Sequence, residues 1–273
     1  MGWNRRTGTL GFIIVSVVIL SIIVIAGIIC AEEATAADFA VKNQLPSAGH
    51  LFGTDFMGRD MFVRTLAGLS MSIRLGLVTA AFSAVVALAV GVSSALLGKT
   101  ADMVLGALID LVMGIPHMLL LILISFACGR GFLGVVVGIS LTHWTSLARL
   151  IRAEVIALRE SPYIQIAGKL GAGKWEIARV HMLPHLVPQF VTGLILLFPH
   201  AILHEASITF LGFGLMPEQA AIGIILSESM GQLVMGKWWL ALFPGLCLVA
   251  VVVIFQKLGQ SVCDVLDPGR VHR

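Results

Sequence analysis

Ser161-Pro-Tyr-Ile-Gln165-Ile166-Ala167-Gly168-Lys-Leu170-Gly171-Ala-Gly-Lys-Trp175-Glu-Ile177-Ala-Arg-Val-His181-Met-Leu183-Pro184 reads as a short helix, a glycine break and a second helical run ending at Pro184. Serine offers an oxygen to the orphan amides of a helix start, and proline suits the first turn. Gly171-Ala-Gly173 then interrupts the helical pattern. Ile166, Ala167 and Leu170 share an apolar edge at helical spacing, which suits docking into a groove on a partner. Arg149, Arg152, Arg159, Lys169, Lys174 and Arg179 surround the segment with positive charge.

Working outward, the segment lies between two apolar runs, 133–150 and 187–210. A rise of about 1.5 Å per residue needs roughly 20 apolar residues to cross about 30 Å of hydrocarbon. Further runs of this kind fall at 8–30, 73–97, 104–128 and 239–262, for six expected spans. Composition agrees: 58% of residues are hydrophobic and 12% charged, against about 45–50% and 25% in soluble domains. That excludes a water-facing globule and intrinsic disorder. The formal charge of +3 is scattered and points to no nucleic acid. The expected fold class is an all-α integral membrane protein in a lipid bilayer. The first run exceeds a signal-peptide core and lacks a convincing small-residue cleavage site, so it reads as a retained span. Cys30, Cys128, Cys247 and Cys263 have no metal-ligand or C-x-x-C spacing and read as unpaired.

Positive charge orients the chain. Arg5 and Arg6, the basic segment above, and Lys257, Arg270 and Arg273 fall on one side; Glu32, Glu33, Asp38, Asp55, Asp60, Glu218 and Glu228 fall on the other. Both termini are therefore expected to be cytoplasmic. The organisation is residues 1–30 as N-terminus and first span, 31–71 as an outer loop with a short helix after Asp60, and 72–264 as a five-helix core. Within the core, 152–186 forms a cytoplasmic loop, and 265–273 is a cytoplasmic tail.

Several patterns imitate chemistry without its geometry. Gly129-Arg-Gly131-Phe-Leu-Gly134 matches G-x-G-x-x-G, but that loop binds a pyrophosphate only between a strand and a helix; between two apolar runs it is a tight turn. Gly98-Lys99-Thr100 lacks the earlier glycine of a phosphate-binding loop, where Ser93 stands, and Gly171-Ala-Gly173-Lys174 is followed by Trp175 instead of Ser or Thr. No nucleotide cofactor is expected on this chain. His200-Ala-Ile-Leu-His204-Glu205 has its glutamate after the second histidine, whereas a zinc protease needs it beside the first. The chain reads as a non-enzyme.

The basic segment also resembles the E-A-A-x-x-x-G coupling motif of ABC-transporter permeases, with Ala167, Gly171, His181, Leu183 and Pro184 at matching positions and Gln165 and Ile166 in place of Glu and Ala. Gly53-Thr54-Asp55-Phe-Met-Gly58-Arg59-Asp60-Met-Phe-Val-Arg64 is similar to a G-T-D-x-x-G-R-D-x-x-S-R segment of the peptide/nickel branch, with Val63 replacing Ser. Segments 110–116, 144–152, 205–214 and Leu266-Asp267-Pro268 also resemble that branch, so the likeness runs from about residue 50 to the end. It implies a type I ABC importer permease fold in a bacterial inner (plasma) membrane. It also implies a second homologous permease as heterodimer partner, two ATPase subunits carrying ATP-Mg, and an extracytoplasmic solute-binding protein. On this resemblance Gln165, Ile166, Ala167, Gly168, Leu170, Gly171, Leu183 and Pro184 couple to the ATPases. Thr54, Asp55, Arg59 and Asp60 belong to the face that meets the binding protein.

The branch carries peptides, nickel or nickel chelates. His200 and His204, four apart, share one helical face in an apolar run, with Glu205 a further 100° round. Ionisable groups inside membranes are usually functional, and imidazole is a good ligand for Ni²⁺. His200, His204 and Glu205 are therefore the expected substrate-pathway residues, with the two histidines as a transient metal step. The pair, and His143-Trp144, also resemble nickel-transport permeases, whereas peptide permeases more often carry small or polar residues at the paired positions. Met113, Met118 and Met230 could add thioether sulfur, although methionine more often packs. The expected substrate is nickel or a nickel chelate, with a peptide importer as the alternative. A passive channel or secondary carrier is the reading from another class, marked by transport that needs no ATPase.

Overall fold

The computed structural model describes residues 5–266. Arg270 and Arg273 and the Asp267-Pro268 motif lie outside the described residues. Among the described residues there is no strand, and a single isolated bridge joins Thr54 and Asp60. The helices are α1 (Arg5–Ile29), α2 (Met61–Leu96), α3 (Lys99–Gly114), α4 (His117–Ala127) and α5 (Phe132–Glu160). They continue with α6 (Pro162–Lys169), the single turn α7 (Lys174–Glu176), α8 (Leu183–Phe210), α9 (Ile222–Leu233) and α10 (Trp239–Leu266). Five helical stretches are long and apolar enough to cross a membrane, and the bent pair α3 and α4 makes a sixth if counted as one span. The fold class read from hydropathy is the one present.

Three expected boundaries shift for local reasons. The run 104–128 is two helices bent by 94° at Ile115-Pro116. Proline has no N–H and disfavours helical torsions at the residue before it; Ile115 accordingly takes φ −85°, ψ 136°. The expected short helix after Asp60 is the start of α2, whose N-terminus Asp60 caps by accepting from the amides of Phe62 (2.8 Å) and Val63 (3.1 Å). The run after Gly173 does not end at Pro184. A π-helical segment, Ile177–Met182, carries it into α8, with Pro184 in that helix's first turn. Proline is tolerated there because the first-turn amides of a helix have no intrahelical acceptor.

α2 packs along α5 for much of its length and also meets α1 and α8, while α10 closes on α8, α9 and α1. Small residues permit the close crossings. A Cβ on Gly76 of α2 would stand 2.9 Å from Ile202 and 3.0 Å from Phe198 of α8. At this crossing Ile73, Phe198 and Ile202 are almost wholly buried, as are Ile151 beside Gly91 farther along α2 and Leu75 and Ile139 in a second cluster. Ile14, Ile22 and Ile25 on α1 face outward, as a surface solvated by lipid would. The four cysteines are all free.

Candidate functional site

Beneath the long helices, α6 projects as a hook. The Ser161 amide (3.0 Å) and hydroxyl (2.5 Å) both donate to the Leu158 carbonyl, which folds the chain back from α5; the hydroxyl, turned that way, makes no cap bond to the α6 amides, contrary to the expectation from sequence. Ile164 is buried and anchors one face of α6, leaving Ile166 56% and Leu170 83% exposed. The hook ends in a left-handed turn: Gly171 has φ +96°. Its amide donates to Gly168 (3.2 Å), and the Ala172 amide reaches Ala167 (3.1 Å). This double bond pattern terminates helices where a glycine follows. Of the expected coupling residues, Gln165, Gly168, Leu183 and Pro184 are also exposed, and Ala167 is half-buried. The Gln165 side-chain amide donates back to the Glu160 carbonyl at 3.1 Å.

At the outer loop, Asp55 organises its neighbours. One carboxylate oxygen accepts from the Met57 (2.8 Å) and Arg59 (3.0 Å) amides, the other from Arg59 Nε (2.6 Å) and Arg64 Nη1 (3.1 Å). Glu228 on α9 joins both guanidiniums, at 3.0 Å from Arg59 and 2.6 Å from Arg64. Thr54, also buried, donates to the Val41 carbonyl and accepts from the Gln44 amide at 2.8 Å. Asp60 caps α2 and pairs with His50 at 2.7 Å. All four residues expected at the binding-protein face are thus engaged within the chain.

A cavity of about 580 Å³ opens between α3, the break at Ile115-Pro116, α5 and α8. His117, His143, His200 and His204 line it, together with Met113, Thr142, Thr145 and Ser146. The rings of His117, His143 and His204 stand 4.5–5.0 Å apart, centroid to centroid. One ligand nitrogen from each lies within 4.8 Å of the other two. His200 shares the cavity but not this cluster. Glu205 does not line the cavity. It is fully buried, accepting from the Ser72 hydroxyl (2.6 Å) and the Thr209 hydroxyl (3.0 Å). Thr209 in turn accepts from the Leu215 amide at 3.2 Å. The carboxylate therefore ties α8 to α2 and to the loop that follows α8.

Residues 87–269 match the family of binding-protein-dependent transport system inner membrane components. The chain belongs to this family. It is a multi-pass inner-membrane permease subunit of the ABC importer class. The permease is 33% identical over 265 residues to a proposed peptide transport system permease protein of Brucella suis biovar 1, covering 97% of this chain and 88% of the relative. It is 30% identical over 227 residues to the dipeptide transport system permease protein DppC of Bacillus subtilis, covering 83% and 71%. The inward-facing MetNI methionine ABC transporter shares its fold, with a TM-score of 0.62 at 20% identity over 76% of this chain and 98% of that one.

The permease brings His204 together with His143, which the sequence had singled out, and adds His117, which it had not. His117 is in the cluster because Pro116 breaks the span and turns the first residue of α4 toward α5 and α8. A histidine directly after a proline inside an apolar run was the available signal. The G-x-G-x-x-G match is a turn between α4 and α5, with Gly129 at φ +82° and Gly131 at φ +114°. It is fastened to the loop after α8 by the Gly131 amide on the Gly214 carbonyl (3.1 Å) and by Arg130 donating to Gly212.

Proposed function

We propose that this chain is one half of a heterodimeric permease that imports small peptides or peptide-like solutes, driven by two separate ATPase subunits that carry ATP-Mg. The observation that carries the substrate class is the near full-length match to relatives named for peptide and dipeptide transport. In this reading both termini and α6 lie on the cytoplasmic side, where the exposed Ile166 and Leu170 edge enters a groove on an ATPase. A solute-binding protein delivers cargo to the opposite face, above the Asp55–Arg59–Arg64–Glu228 network. The cavity between α3, α5 and α8 is the part of the pathway contributed by this half, and it alternates its access as the helices rock.

A second reading, import of nickel bare or chelated, has one specific observation in its favour: His200 and His204 line the cavity with two further histidines. Uptake into proteoliposomes containing the whole transporter separates the two. ATP-driven accumulation of a labelled dipeptide, competed by unlabelled dipeptides and needing no added NiCl₂, is the expected result. Accumulation of ⁶³Ni with no peptide uptake would replace the first reading with the second.

A further inference from the structure

The three clustered histidines come from three different helices, α4, α5 and α8, and each has a separate reason for its position. His143 Nδ1 lies 3.1 Å from the Ile139 carbonyl. A carbonyl can only accept, so in the tautomer that makes this bond the proton sits on Nδ1 and the lone pair on Nε2; the Thr142 hydroxyl, 3.2 Å from the same Nδ1, donates to the Gly138 and Ile139 carbonyls. That Nε2 is buried and has no hydrogen-bond partner. His117 Nε2 is likewise buried and without a partner. Leaving such atoms unpaired is costly, and buried polar atoms without partners are rare. Two of them beside a third imidazole leave ring nitrogens that, in their unprotonated form, a Lewis acid would satisfy. Fixing a ring by an Nδ1–H bond to a backbone carbonyl is also how proteins orient metal-binding histidines. His204 carries the thioether of Met118 3.1 Å from its Nδ1, a soft group against the cluster.

We infer that His117, His143 and His204 form a three-imidazole site for a divalent first-row transition ion in the cavity wall. This deepens the nickel reading above, on which it rests for the ion's role as cargo. The donor set selects among metals. Neutral imidazoles suit Ni²⁺, Cu²⁺ and Zn²⁺, whereas Mg²⁺ and Ca²⁺ take oxygen ligands. Metal–nitrogen bonds of about 2.0–2.1 Å set ligand nitrogens roughly 3.0–3.5 Å apart. The present separations, up to 4.8 Å, therefore close by about an ångström or more, within reach of side-chain rotation. Three protein ligands leave further coordination positions open to the cavity, where a chelating peptide or water completes the shell. Such a site can receive an ion with part of its carrier and release it again, as a pathway requires. His200, one helical turn from His204, lines the cavity outside the three-ligand cluster.

The test is equilibrium dialysis of ⁶³NiCl₂ against the full-length chain co-purified with the subunits it assembles with, followed by X-ray absorption of the bound metal. One saturable site per chain with about three imidazole ligands is expected, competed by ZnCl₂ and not by MgCl₂. Losing a ligand should cost at least what losing an outer-shell partner costs, about 10- to 100-fold in affinity. H117Q, H143Q and H204Q should each show that loss, and M230L none. Variants that keep the complex's elution profile and ATP hydrolysis remain informative. Absence of saturable binding overturns the inference, as does loss confined to H200A and H204A with H117Q unaffected. ATP-driven peptide uptake with no nickel bound would sink the site and leave the importer standing; nickel bound with no ATP-driven uptake would do the reverse.

Discussion

Asp55 sits in one of the most demanding positions in the chain. Its carboxylate is 4% exposed and answers two buried guanidiniums, Arg59 and Arg64. Removing one partner of a buried charge group typically costs about 3–5 kcal/mol, because the remaining charge stays desolvated. D55A should therefore lower the thermal midpoint of the detergent-purified chain sharply, with D55N, which keeps an acceptor for the Met57 and Arg59 amides, in between. Unchanged midpoints for both would show that Glu228 alone holds the network. Glu205 makes the opposite prediction for transport. It bonds Ser72 and Thr209 inside the helix packing and stays out of the cavity. E205Q should leave the substrate KM within about twofold, since the carboxylate does not line the cavity and makes no contact with cargo there. A large rise in KM would place the carboxylate in the pathway after all. In the sequence, an acid in an apolar run signals that something special is buried there. It cannot say that the partner is a serine 133 residues earlier in the chain, because helix register across a crossing is set by packing.

Most of the helices were legible, since each spanning run is a mainly apolar stretch of about the required length. Their ends were less so. Capping by Asp60 extends α2 upstream, and the π turn hides the start of α8; both depend on hydrogen bonds that hydropathy does not register. The α3–α4 break was readable in principle from Pro116, but its depth in an apolar run made one span the simpler reading. That break brings His117 to the cavity, so the element and the site were missed together. The hook was fully legible, because Ser161-Pro162 and Gly171 are local signals at either end of α6. Gly171 holds a left-handed conformation that costs other residues about 1–2 kcal/mol. G171V should loosen the α6 terminus and speed amide exchange from Ile166 to Ala172, while exchange in α2 and α5 stays slow. Equal speeding throughout would mean that the hook is not an independent element.

At the scale of the whole permease, an exposed hook and a cavity are joined by one helix, α5. α5 lines the cavity with His143 and Ser146 and runs directly into the turn that launches α6. In the proposed mechanism a push on α6 travels to the cavity wall along one continuous helix, Phe132–Glu160. The most direct test is substrate uptake by the reconstituted transporter carrying L170D, compared with the unaltered chain, in vesicles with and without ATP. The charge placed on the 83% exposed Leu170 should detach the ATPases and abolish ATP-driven uptake, leaving the chain folded and still able to bind cargo. Uptake by L170D at the unaltered rate, or uptake by the unaltered permease with its ATPases removed, would contradict the account.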